Sequence, residues 1–291
     1  MTKPPIQYPV VGFITIFANL GGVFALGVAT LVTSYAFSWR YAFLFGAVIA
    51  MVGVVARTRL RETPEFADAT TRLLNKLKNF GIEKNDITNQ KMLNEKLNEK
   101  VNIKTILAYL AIEATGPIWF YLVYIHCGTV LKTTFNYSYE QIIGHNLFVA
   151  IEELFSGILY TYLSYKIYPM KILKIRLVIF ASTIVFLPYL LTNTPSPFYL
   201  LLLQFFILLF KTGALPAAPI FYKQFPVFKR FRTVSISFAV GRAIMYVVTS
   251  FGLVYLIDCF GNWGIVMLFV PFIVLYGLGL RHFEMLGGCR R

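Results

Sequence analysis

Charge is what this sequence has least of. Asp, Glu, Lys and Arg make up 14% of its 291 residues, against about 25% in a typical soluble domain. That scarcity, with 57% apolar residues and a mean hydropathy of +0.66, excludes a water-soluble globule. Cysteine and histidine number three each. Cys127, Cys259 and Cys289 form no CxxC pair and no metal spacing, so free apolar thiols are expected. A Cys127–Cys259 disulfide is chemically allowed if both lie near the outer ends of spans. No HExxH, GxSxG or GxxxxGK[ST] pattern occurs, which argues against an intramembrane enzyme and against a nucleotide-driven pump. Nothing calls for a metal or a cofactor.

Acids are scarcer than bases, 13 against 27, giving a formal charge of +14. The distribution argues against nucleic acid as the partner. Residues 57 to 104 hold 11 of the bases with seven acids, and most other bases mark the ends of apolar blocks. Lys and Arg beside membrane spans stay on the cytoplasmic side. The partner implied is therefore the lipid bilayer.

A window of about 19 residues gives eight candidate spans, at 9–35, 40–57, 104–130, 141–163, 177–193, 198–222, 233–257 and 263–281. The fold class expected is an all-α integral membrane protein. The start, MTKPPIQYPV, lacks the charge pattern, short apolar core and cleavage site of a signal peptide. One set of loops carries the 57–103 segment, then Lys166, Lys171, Lys174 and Arg176, then Lys223, Lys229, Arg230 and Arg232, and last Arg281, Arg290 and Arg291. The opposite set has Arg40, Lys132, no charge across TNTPSP at 192–197, and Asp258. Both termini are thus expected in the cytoplasm. Within 57–103, Leu73, Leu74, Leu77 and Phe80 recur at helical spacing before Gly81. The segment reads either as a short amphipathic helix on the membrane surface or as a flexible tether.

Ionisable groups deep in spans are the most informative positions, because each costs at least about 2.5 to 3.5 kcal/mol on insertion scales. Glu113, Glu152, Glu153, Lys211 and Arg242 are such groups, and they are expected to pair within a bundle or around a wet cavity. Glu152 and Glu153 lie about 100° apart on a helix, so at most one is central. That one serves either as a proton carrier or as a structural partner of Lys211 or Arg242. Glu113, Pro117, Phe120 and Tyr124 share a helix face, with Trp119 and Tyr121 alongside. Such a face packs against neighbours or encloses a quaternary ammonium by cation–π contact. Pro117 is expected to kink its helix. Gly213, Pro216 and Pro219 mark a distorted half of the 198–222 span. His126 and His145 are expected to make hydrogen bonds rather than bind metal.

At RLRETPEF, residues 59–66, after the apolar run SWRYAFLFGAVIAMVGVVA, the chain resembles the metabolite:proton symporter family of the major facilitator superfamily, which includes bacterial proline/betaine transporters. In that family the sixth helix ends in a basic cluster followed by ETP and an aromatic residue. Arg57, Arg59, Arg61, Glu62, Thr63, Pro64 and Phe66 fit. The segment 231–245, FRTVSISFAVGRAIM, resembles the eleventh helix, with Arg232 carried over and Ser235 where glycine is usual. In the repeated signature loop at 161–170, Leu163, Ser164, Lys166 and Ile167 fit. Thr161, Tyr165, Tyr168, Pro169 and Met170 depart from it.

The resemblance implies that the spans correspond to helices five to twelve of a twelve-helix transporter, a partial major-facilitator fold lacking about the first four. Residues 1–56 would then be a two-helix remnant of the first bundle, 57–103 the central cytoplasmic loop and 104–291 the second bundle with a short tail. It also implies symport of a small zwitterion or organic acid with a proton, in the inner membrane, by alternating access. Glu113 and one of Glu152 or Glu153 would lie on the proton or cation path, Lys211 and Arg242 would be counter-charges or carboxylate ligands, and Tyr124 would line the same path. The rival expectation is a truncated or split transporter, inactive without a separate chain supplying the missing helices.

Overall fold

The computed structural model describes residues 5–34, 40–59 and 100–288, with 38, 68, 71 and 72, and among them every regular element is helical. We number the helices α1 (Gln7–Ser34), α2 (Arg40–Arg59), α3 (Ile103–Phe135), α4 (Tyr139–Lys166), α5 (Pro169–Thr192), α6 (Pro197–Phe210), α7 (Ala218–Tyr222), α8 (Val227–Phe260) and α9 (Trp263–Gly288). Six of them, α1, α3, α4, α5, α8 and α9, are long and apolar enough to cross a bilayer. The proposed surface helix near Leu73–Phe80 lies outside the described residues, as do Arg61, Glu62, Thr63, Pro64 and Phe66. Cys127 and Cys259 are both free, the first buried and the second exposed.

Short connections force consecutive helices to run antiparallel. Asn136 takes the left-handed conformation at the end of α3, and Ser138 opens α4 with a reciprocal capping box to Gln141. Only Ile167 and Tyr168 separate α4 from α5, and Pro169 starts α5 at a position where its missing N–H costs nothing. Gly261, at φ +58°, turns the chain between α8 and α9. One end of the bundle therefore carries Lys166, Lys171, Lys174 and Lys223. There Lys174 meets Glu284 at 2.6 Å and Lys223 donates to Gln7 at 2.7 Å.

Several boundaries differ from the sequence expectation: α3 runs on to Phe135, α8 starts at Val227 and α9 continues to Gly288, so Lys229, Arg230, Arg232 and Arg281 lie within helices. Two further differences bear on the interior. The fifth span starts at Pro169 rather than 177, so Arg176 belongs to no basic loop. It shares a buried stripe with Met170, Leu173 and Phe180 and is 5% exposed. The segment 198–222 is not one helix. α6 has 14 residues, about 21 Å at 1.5 Å per residue, short of the roughly 30 Å hydrocarbon core. Residues 211–217 are unwound, and α7 follows.

Two buried clusters make the core. One gathers Trp119, Leu122, Phe180, Leu200 and Phe269; the other, toward the basic end, gathers Tyr109, Leu173, Phe221, Tyr276 and Phe283. The unwound residues lead from the first to the second. α1 lies along α4, where Gly12 brings the backbones close. A Cβ at Gly12 would stand 2.4 Å from Thr161 Oγ1. Gly12→Leu is therefore expected to detach α1 from α4, read as loss of an Asn19→Cys to Gly157→Cys crosslink, since Asn19 Nδ2 lies 3.3 Å from where a Gly157 Cβ would be.

Candidate functional site

α3 is loosened in the middle by its own sequence. Pro117 cannot donate to the carbonyl of Glu113, the helix is interrupted at Ala114, and a π turn runs from Tyr121 to His126. The wider turn presents the carbonyl of Val123 to Gln204, which donates to it at 2.7 Å while bonding His145 at 2.6 Å. A second π turn, Val248–Leu253, interrupts α8. Single π turns inside helices frequently accompany functional sites.

Tyr124, brought round by this path, donates to Glu153 Oε2 at 2.9 Å. The Lys211 ammonium donates to the other oxygen, Oε1. The backbone carbonyl of Glu153 accepts from Asn19 Nδ2 at 3.0 Å. Four helical segments, α1, α3, α4 and the end of α6, thus meet at one residue. Glu152 points elsewhere, as the 100° offset requires. Its Oε1 accepts from Ser156 at 2.5 Å, and its buried Oε2 has no hydrogen-bond partner among the described residues.

Lys211 stands where α6 ends, and the unwound carbonyls beyond it must find donors, since lipid supplies none. The prolines decide which carbonyls are orphaned: Pro216 removes the helical donor for Thr212, and Pro219 the one for Leu215. Thr115 Oγ1 donates to Thr212 O at 3.3 Å, and Arg176 Nη1 to Leu215 O at 2.9 Å. Arg176 Nη2 also donates to Lys211 O, Tyr160 to Leu209 O, and Tyr276 to Gly213 O at 2.8 Å. Trp119 Nε1 reaches the Thr212 hydroxyl at 3.1 Å. The break is therefore held by side chains from α3, α4, α5 and α9.

The second charged pair is looser. Arg242 Nη2 lies 3.9 Å from Glu113 Oε2, close enough for attraction and too far for a hydrogen bond. The guanidinium lies over Phe238 at 4.6 Å, and its Nε has no hydrogen-bond partner among the described residues. Gly116 makes room for it, since a Cβ there would sit 3.0 Å from Nη2. Phe120 contacts both Tyr124, at 5.4 Å between ring centroids, and Tyr246, at 6.4 Å, so an aromatic edge borders both pairs.

Of the five sequence-predicted ionisable residues, Glu113 is buried and the other four are half-buried, and four of the five form two pairs. Trp119, expected beside the aromatic face, packs instead in the core against Phe180 and Phe269. Of the family-motif residues, Arg59 closes α2, and Arg232 is exposed in α8. Arg176, Tyr160, Thr212 and Asn19 were not singled out. For Arg176 the signal lay in the 170, 173, 176, 180 spacing after Pro169, which Lys171 and Lys174 mask as a basic loop. With Arg176 counted, the described membrane region holds three carboxylates, Glu113, Glu152 and Glu153, and three cations, Arg176, Lys211 and Arg242. No cluster of three or more metal-ligating side chains occurs among the described residues.

A multi-pass helical membrane protein with paired charges at a broken helix is the architecture of a solute transporter. A model of the Major Facilitator Superfamily matches residues 2–224, and the chain belongs to that family, whose members carry solutes across membranes and are generally not enzymes. No curated protein and no solved structure matches the chain.

Proposed function

We propose that the chain carries out proton symport of a small zwitterion or organic acid, of the proline or betaine kind, by alternating access in the inner membrane, with both termini cytoplasmic. The observation that carries this reading is the Lys211–Glu153 pair at the unwound end of α6. Helices that break at the membrane midplane expose backbone and charge to substrate and coupling ion. Arg242 is the carboxylate ligand, supported by its 3.9 Å separation from Glu113 and its unpaired Nε, which leave donors unused. Glu113 and Glu152 exchange the proton. The unpartnered Oε2 of Glu152 supports this role, while Glu153 is pinned by Lys211 and Tyr124.

The test is uptake of radiolabelled proline, betaine and a dicarboxylate into vesicles holding the full chain, with and without an inward proton gradient. Gradient-driven uptake of one of them is expected. Glu113→Gln and Glu152→Gln should remove the gradient dependence, and Arg242→Gln should raise KM more than tenfold. Glu variants with normal pH-dependent uptake would sink the assignment.

A second reading is favoured by the surface of α1 and α2. Phe13, Phe17 and Phe24 are exposed along α1, with Phe43, Leu44 and Ile49 of α2. In this reading a separate chain supplies further helices against that surface, and uptake appears only when the two are co-expressed.

A further inference from the structure

Arg176 is a cation inside the bundle with no carboxylate of the described residues bonded to it. A buried charge needs compensation, and here it comes from three sources. The guanidinium donates to Lys211 O and to Leu215 O, and it lies over the Tyr160 ring at 4.4 Å. Lys211 O belongs to the carbonyl end of α6, the negative end of that helix's dipole. In a continuous helix the Lys211 carbonyl would accept from the N–H of Leu215, four residues on. At the break both carbonyls instead turn to one planar group. A guanidinium can span two acceptors in a fixed fork, which an ammonium cannot.

The contact with Lys211 O matters most, because it fixes the backbone from which the Lys211 side chain leaves. That side chain meets Glu153. We propose that Arg176 is a positioning residue for the Lys211–Glu153 pair: by bridging the Lys211 and Leu215 carbonyls across the broken helix, it sets the direction in which the Lys211 ammonium points. Tyr160 supports it from the other side by stacking on the guanidinium and donating to Leu209 O. Its importance for transport rests on the proposed role of that pair, while its geometry does not.

The test reads Lys211 directly. The full chain in detergent is acylated with a water-soluble succinimidyl ester of acetate, and each lysine is quantified by mass spectrometry. In the wild type Lys211 should react slowly, because Glu153 holds its ammonium. Arg176→Gln should raise Lys211 labelling about tenfold while Lys132 and Lys171 stay within twofold, and Arg176→Lys should fall between. Unchanged Lys211 labelling in Arg176→Gln overturns the proposal. So does an equal rise at all lysines, which a general loosening of the fold would give. If Arg176→Gln does not yield folded protein, Tyr160→Leu, which removes only the stack and the Leu209 contact, should raise Lys211 labelling about threefold, and no rise there also overturns it. Uptake of the radiolabelled solutes is measured in the same variants. Selective Lys211 release with unaltered uptake upholds the positioning and rejects the pair's role in transport.

Discussion

Lys211→Met is expected to destabilise the bundle by about 3 kcal/mol, and adding Glu153→Gln to the same chain is expected to return most of that loss. Removing one partner of a buried ion pair costs about 3–5 kcal/mol because the other charge is left uncompensated, whereas removing both is often nearly neutral. The lower end applies because both side chains of this pair keep about a quarter of their surface exposed, 26% for Lys211 and 24% for Glu153. Glu153→Gln alone should cost less than Lys211→Met. A lone Lys211 can turn its long side chain toward water, and Tyr124 can still donate to the glutamine oxygen. The four proteins form a double-mutant cycle, read by unfolding in mixed micelles with increasing SDS. Additive losses would mean that the two charges do not sense each other.

The same variants separate structure from transport. If the pair is only a tie between α4 and α6, the double variant recovers both stability and uptake. If it is part of the transport path at the unwound end of α6, as proposed above, the double variant recovers stability and remains without proton-coupled uptake. Buried pairs in membranes serve both purposes, and only the double substitution distinguishes them.

What the sequence made legible follows from range. Hydropathy is local, so each expected span contains a helix. A lone charge in an apolar run is also a local anomaly, and Glu113, Glu152, Glu153, Lys211 and Arg242 stood out for that reason. Pro216 and Pro219 announced the break because proline removes a specific donor. Partners across the bundle left no such trace. Nothing near Thr212 in the chain names Thr115 or Trp119, and nothing near Gly12 names Thr161. Arg176 was hidden by local context, since a base that follows Lys171 and Lys174 reads as one more loop charge. Only the position of Pro169 as a helix start moves it into the membrane. The fork of Arg176 on two carbonyls is a property of the folded break and has no sequence signature.

Trp119 joins packing to that break, and its two truncations should differ sharply. The side chain is 3% exposed, with ring centroids 4.2 Å from Phe180 and 4.8 Å from Phe269. Trp119→Ala opens a cavity between three helices and is expected to cost about 3–5 kcal/mol. Trp119→Phe keeps an aromatic ring against both neighbours and loses chiefly the Nε1 bond to Thr212, worth about 1 kcal/mol. Thr212 lies next to Lys211 in the unwound segment, so the small loss falls where the chain has least regular structure to absorb it. Trp119→Phe should therefore leave global unfolding in SDS almost unchanged while amide hydrogen exchange in 211–217 accelerates about tenfold. Equal protection of that segment in both proteins would make Trp119 a core residue alone, and the anchoring of the break would then rest on Thr115, Tyr160, Arg176 and Tyr276.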